Sequence, residues 1–229
     1  MRAFHHLALG LLTTGLVLEP WWAVLTTLQI VALAAGVIVG SLAPDADTPG
    51  STILRFPTRG WGLFAAPLPI FGHLVRVLVY YPLSAVCLLA TGTGDHHRHR
   101  GILHSVAGAV ATGVVLAACL WAAGRLAGYQ LDGLALLFGS ACTAGALLHL
   151  LADSATPAGV AWLQPVSSAR ISGRIRTDQP LLPALFAVVL ALALAAVRFG
   201  RIGGWPEVPV CIGGAIVCWL SFLSLARVG

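Results

Sequence analysis

Three short stretches hold most of the residues that could do chemistry in this 229-residue chain. The first is Leu42-Ala43-Pro44-Asp45-Ala46-Asp47, where two carboxylates in DxD spacing stand beside a proline that ends an apolar run. Carboxylates so placed suit a hard or borderline divalent cation, although a solvated aspartate turn has the same spelling. The second runs from Asp95 through His99-Arg100-Gly101 to His104-Ser105. His99 and His104 could present two imidazole nitrogens from a loop and the first turn of a helix, and Arg100 offers a rigid fork of donors to a phosphate or carboxylate. His96 and His97 read as solvated, and His73 and Arg76 as interfacial.

The third stretch is His149-Leu150-Leu151-Ala152-Asp153. Four positions apart, His149 and Asp153 share a helix face, so both can reach one metal, or Asp153 can orient the imidazole, or the two form a satisfied buried pair. Thr156-Pro157-Ala158-Gly159 then makes a turn that would fold the next segment back over the site. That segment carries Arg170, Arg174 and Arg176, which either grip a phosphate or an anionic headgroup or simply mark the membrane side.

What makes these residues informative is their scarcity. Only 9% of the chain is charged and 58% is hydrophobic, against about 25% charged in an ordinary soluble domain. That composition excludes a water-soluble globule, a disordered tail and a coiled coil, and leaves the bilayer as the solvent. The formal charge of +5 comes from 13 arginines, with no lysine, against six Asp and two Glu. These arginines are scattered between apolar runs and form no basic helix, so no nucleic-acid partner is expected. All five cysteines sit in apolar stretches without CxxC spacing and read as buried free thiols.

The elements that must position the polar clusters are membrane helices, each needing about 20 apolar residues. Val24 to Leu42, Leu103 to Leu126, Leu134 to Leu151, Leu181 to Val197 and Val208 to Ala226 qualify. Leu7 to Leu18 is short and spans only if it runs from near His5 to Trp21; without a small-residue cleavage site after it, it reads as a retained first helix. Trp61 to Thr91, interrupted by Pro67, Pro69 and Pro82, is an interfacial segment, a bent re-entrant pair, or one span plus a surface helix. The expectation is an all-α polytopic bundle of about six to seven helices in one membrane-embedded domain, residues 1–229. If Trp61 to Thr91 makes no net crossing, His6, Asp45, His99 and His149 all fall on one side. That side holds nine arginines against three on the other, and is cytoplasmic by the positive-inside rule.

In order and spacing the clusters resemble the YdjM-like membrane proteins, described as LexA-binding, inner-membrane-associated and assigned as metal-dependent hydrolases. The matching pieces are His6-Leu7, Leu42 to Asp47 for an LxPDxD stretch, His99-Arg100-Gly101 with His104-Ser105 for HRGxTHS, and His149 to Asp153 with Thr156 to Val160 for HxxxDxxTxxG. They cover roughly residues 3–178; beyond them the last two spans match only as hydrophobic helices. Two positions depart from the pattern: Thr48 stands where the family often has a histidine, and Leu103 where it has a threonine. That family is grouped with the zinc-dependent phospholipase C and single-strand nuclease superfamily, so the resemblance implies cleavage of a phosphoester or phosphodiester.

The resulting expectation is a membrane-bound metal-dependent hydrolase acting on a phospholipid-like, phosphate-containing substrate at the cytoplasmic face of the inner membrane. His6, Asp45, Asp47, His99, His104, His149 and Asp153 would hold one or two divalent ions, zinc by imidazole content, with manganese or magnesium open. Asp153 would also serve the reaction, and Arg100 with Arg174 or Arg176 would neutralise the phosphoryl oxygens. The alternative is a non-catalytic metal-binding module that docks a cytoplasmic regulatory partner. An ion transporter is disfavoured, because the ionisable residues crowd the span ends.

Overall fold

In a computed structural model, which describes residues 2–55, 67–92, 100–176, 179–200 and 207–228, the chain is all-α. Helix α1 (Ala3–Leu18) passes through a 3-10 turn (Glu19–Trp21) to α2 (Thr27–Leu42), which Thr26 and Gln29 open with a reciprocal capping box. Pro44 then tightens the chain into a second 3-10 turn, Ala43–Asp47.

The segment left open by the sequence holds one bent rod. Its parts are α3 (Leu68–Val75), a π turn (Arg76–Tyr80) and α4 (Tyr81–Thr91). Pro67 and Pro69 sit at the rod's start, where a missing amide costs little. Pro82 has no amide to offer Leu78, and just before it the helix widens, Tyr81 N–H reaching back five residues to Arg76 O. Leu68–Leu89 is long and apolar enough to cross a membrane. Pro67 and Leu68 nevertheless border Ala35 and Ile38 of α2, and the π turn packs on Ala43–Asp47, so the rod climbs beside α2.

After a 3-10 turn (Ile102–His104) come α5 (Val106–Leu126), α6 (Asp132–Ser154), α7 (Leu181–Phe199) and α8 (Glu207–Leu225). Among the described residues, six helical stretches have span length and hydropathy; α1, at 16 residues, is the short one, as its sequence implies. It is nonetheless part of the bundle. Leu9 and Leu16 are buried, and the Trp219 indole donates to Thr13 Oγ1 at 3.0 Å. Outward positions of α7, including Leu181, Leu185 and Leu192, are exposed apolar residues facing where lipid would be.

Two apolar cores flank α6. One joins α2, the α3–α4 rod and α5; the other joins α1, α7 and α8. Against α6, helix α2 approaches through a Gly36-xxx-Gly40 pair: a Cβ at Gly36 would meet Ala141, and one at Gly40 would run into the Cys142 backbone. Gly113 and Gly139 do the same between α5 and α6. All five cysteines are free, three of them buried.

Candidate metal centre

Four helix ends meet at the seam between the two cores: the starts of α1 and α5 and the ends of α2 and α6. Counting crossings implies such a meeting for His6, Asp45 and His149 on the condition that residues 61–91 make no net crossing. Each end brings a polar residue into apolar surroundings, His6 from α1, Asp45 and Asp47 from the turn after α2, His104 from the turn before α5, and His149 with Asp153 from α6. His6, His104, His149 and Asp153 are buried, as is the Asp47 carboxylate, whereas Asp45 keeps 29% of its side chain exposed. Asp45 is therefore where the cluster opens.

The two imidazoles from α6 and the α5 turn are aimed alike. His149 Nδ1–H donates to the Ser41 carbonyl at 2.8 Å, which leaves Nε2 as the lone-pair nitrogen, 3.8 Å from Asp45 Oδ1 and 3.7 Å from Asp153 Oδ2. His104 turns Nδ1 toward Asp47 Oδ2 at 3.7 Å and Nε2 toward Asp45 Oδ1 at 3.6 Å and Asp153 Oδ2 at 3.9 Å. His6 stacks on His149 at 3.8 Å and reaches Asp153 Oδ1 with Nε2 at 3.4 Å.

Burial holds the His104 imidazole below its ordinary pKa, more strongly than Asp45 and Asp47 raise it, so the ring is of the kind that could serve a metal as a neutral donor. Two ligand sets follow from the spacing, His6 with His149 and Asp153, and Asp45 with His104 and His149.

These residues fit a metal. His149 Nε2 is buried with no hydrogen-bond partner, a costly state that a cation would relieve. Bonds of about 2.0–2.1 Å around a tetrahedral zinc set neighbouring donors roughly 3.3–3.4 Å apart. The four nitrogen-to-carboxylate spacings here, 3.6 to 3.9 Å, lie a few tenths above that.

The family model described as YdjM inner membrane protein matches residues 1–227. The chain belongs to the YdjM family. The match runs through α7 and α8, past the residues 3–178 that carry the motifs. No curated protein and no solved structure matches the chain. At the two positions where this YdjM member departs from the motif, Thr48 Oγ1 donates to Asp47 Oδ1 at 3.0 Å and Leu103 is buried in the apolar core.

Of the residues the sequence singled out, His6, Asp45, Asp47, Arg100, His104, His149 and Asp153 come together, while His99 lies outside the described residues. Arg100 is built into the cluster. Its backbone sits at φ +64°, its amide donates to Asp47 Oδ2 at 3.1 Å, and its Nη2 pairs with Asp153 Oδ2 at 2.9 Å. Nη1 donates to Thr156 Oγ1 at 2.8 Å and to Gly159 O at 3.3 Å.

The turn after α6 does fold back over the site. Val160 and Ile171 exchange both backbone hydrogen bonds, and Gly159 takes φ +62°, where a Cβ would meet Ile171 and Ser172. Arg170 fastens this strap to Ala158 O, Gly159 O and Arg100 O. Arg174 and Arg176 stand exposed on either side of buried Ile175.

Ser41 was not foreseen as a contact of the centre, and Thr156 and Arg170 were named only as parts of a turn and a basic segment over the site, not as partners of Arg100. Ser41 acts through a carbonyl, which every residue has, so no sequence signal marks it. A cavity of about 570 Å³, between α5 and α6 beside Trp121 and Asp132, lies near the opposite end of the bundle and is not part of the centre.

Proposed function

We propose that this YdjM member is a metal-dependent hydrolase that cleaves a phosphoester or phosphodiester bond in a phospholipid-like substrate at the cytoplasmic membrane face. The observation that carries the proposal is the aim of His104 and His149, whose Nε2 atoms both face the carboxylates of Asp45 and Asp153 inside an otherwise apolar bundle. The imidazole share of the donor set favours zinc. When bound, such an ion supplies Lewis acidity and lowers the pKa of a coordinated water toward about 7.

The protein's own residues supply the rest. Asp45 stands at the opening and meets the incoming substrate first. Asp153, held by Arg100 and His6, keeps its orientation as charge develops. Three of the five guanidinium N–H groups of Arg100 are committed to Asp153, Thr156 and Gly159, which leaves two for a phosphoryl oxygen. Arg174 and Arg176, exposed on the strap, meet a headgroup phosphate. An apolar groove of about 350 Å³, lined by Leu7, Ile38, Val39, Leu68 and Phe71 among others, begins one residue from His6 and gives an acyl chain room beside the bundle.

The test is metal analysis followed by a substrate screen. The purified chain is expected to carry a transition metal that the His149→Ala and Asp45→Ala variants lose, and to turn over phospholipids or phosphodiesters in a manner abolished by His104→Ala and Asp153→Ala. A metal-free protein of unchanged fold removes the proposal, and turnover that survives in the last two variants removes this site. The depth of the cluster favours a second reading, a structural metal in a non-catalytic module that docks a cytoplasmic partner. Retained metal with no turnover across the screen would select it.

A further inference from the structure

Away from the candidate centre, the contact between α5 and α6 is open on its outer side. Gly113 and Gly139 let the two backbones close on each other, and the side chains missing there leave a furrow above the contact. Among the described residues the furrow is lined by α5 and α6 alone, and it holds about 570 Å³. Val114, Ala118, Leu136 and Ser140 border it as exposed residues, so its outer neighbour is lipid.

Its dimensions select what enters. At 1.5 Å per residue the lining runs about 12 Å along α5, from Gly113 to Trp121, and about 16 Å along α6, from Asp132 to Thr143. One leaflet's half of a hydrocarbon core roughly 30 Å thick is about 15 Å, so the furrow has the length of a single leaflet. Spread over that length, the volume has a mean cross-section of about 38 Å², no more than about half that of a helix 10–12 Å across. An acyl chain fits and a helix does not. Thr143, at the inner end, spends its hydroxyl on Gly139 O at 3.1 Å and so leaves that end apolar.

The outer end carries both signs of charge. Trp121 Nε1 and Arg125 Nη2 each donate to Asp132 Oδ1 at 2.8 Å, and the Arg125 guanidinium lies 5.7 Å from the Trp121 ring centroid. The two charged side chains are nevertheless 47% and 50% exposed. Their pairing uses one nitrogen of the guanidinium fork and one oxygen of the carboxylate, and leaves Nε, Nη1 and Oδ2 out of these bonds. Trp121 marks the headgroup level. There a fork of N–H donors suits a phosphate, and the carboxylate oxygen beside it suits an ammonium. A headgroup with both charges satisfies both, whereas an anionic headgroup has no cation for Asp132.

We propose that this furrow binds one zwitterionic phospholipid of the leaflet opposite the candidate centre. An acyl chain lies between α5 and α6, the phosphate meets Arg125, and a primary ammonium donates to Asp132 Oδ2.

The experiment is native mass spectrometry on the full-length chain in detergent, freed of co-purified lipid and titrated with palmitoyl-oleoyl phosphatidylethanolamine or with the phosphatidylglycerol of the same chains. One phosphatidylethanolamine is expected to bind about tenfold more tightly than the glycerol lipid; tenfold is about 1.4 kcal/mol, the scale of one hydrogen bond to a charged group. Ser140→Phe fills the furrow from an exposed position and should remove the tight site. Asp132→Asn keeps an oxygen for Trp121 and Arg125 but loses the charge, and should bring the two affinities to near equality. Leu185→Phe, on the exposed face of α7, is the control and should change neither.

Equal affinity for the two lipids in the unaltered chain overturns the proposal, as does a preference that survives Ser140→Phe. A dimer in the native spectra that Ser140→Phe dissociates also overturns it, and makes the furrow a contact between copies. Should Asp132→Asn fail to fold, the two lipids compared in the unaltered chain and in Ser140→Phe still decide the matter.

Discussion

Gly40 ties the packing of the bundle to the chemistry of its centre, and Gly40→Ala tests that tie. A Cβ at Gly40 would lie 2.7 Å from the Cys142 carbonyl carbon and closer still to its oxygen. Carbon atoms at rest are about 3.5–4.0 Å apart, so α2 and α6 must separate by roughly 0.8 Å or more. Both obstructing groups are backbone, and no side chain can rotate out of the way. Overpacking of this kind costs about 1–3 kcal/mol.

The neighbouring residue is Ser41, whose carbonyl holds His149 Nδ1 at 2.8 Å. The same separation would stretch that bond past hydrogen-bonding range and release the ring. Loss of an outer partner of this sort lowers metal affinity about 10–100-fold. The assay is zinc affinity by competition with a chelator, alongside the thermal midpoint in detergent with and without zinc. Gly213→Ala serves as the control, because a Cβ there meets nothing within 4 Å. If Gly40→Ala matches Gly213→Ala in both affinity and midpoint, the coupling of helix contact to the centre is refuted.

Three further outcomes are expected. Ser105→Ala removes the hydroxyl that accepts from Gly108 N–H at 3.1 Å and donates to Ile102 O at 2.6 Å, so it should cost about 1 kcal/mol in denaturant titration and weaken zinc binding by loosening the His104 turn. Thr13→Val takes the acceptor from the buried Trp219 indole and should cost about 1 kcal/mol, with a red or blue shift in that tryptophan's fluorescence but unchanged zinc stoichiometry. A cysteine placed at Val166, 91% exposed on the strap side, in a background without the native cysteines, should react with an impermeant maleimide only after the cytoplasmic face is opened; labelling of intact cells would reverse the orientation.

Composition alone assigned the chain to a bilayer, because with so few charged residues most of the surface is apolar and must meet lipid instead of water. Apolar run length gave the helices, and crossing parity put His6 and Asp45 at one end, with His149 beside them only on the condition that residues 61–91 make no net crossing. Helix periodicity paired His149 with Asp153 on a face.

What sequence order does not encode is how deeply two helices approach and which atom of a residue is turned inward. The His149 ring is oriented by a backbone oxygen 108 positions away, and that contact exists only because Gly36, Gly40 and Gly145 bring α2 onto α6. Spacing presented Asp45 and Asp47 as equivalent ligands, and the turn after Pro44 separates them, Asp45 toward the opening and Asp47 behind His104. Arg100 looked like a hand for substrate, and the fold has also wedged it between Asp47 and Asp153. Charge and hydropathy are sums over local residues and survive in the linear order; the direction of a lone pair depends on crossing geometry, which only the packed bundle sets.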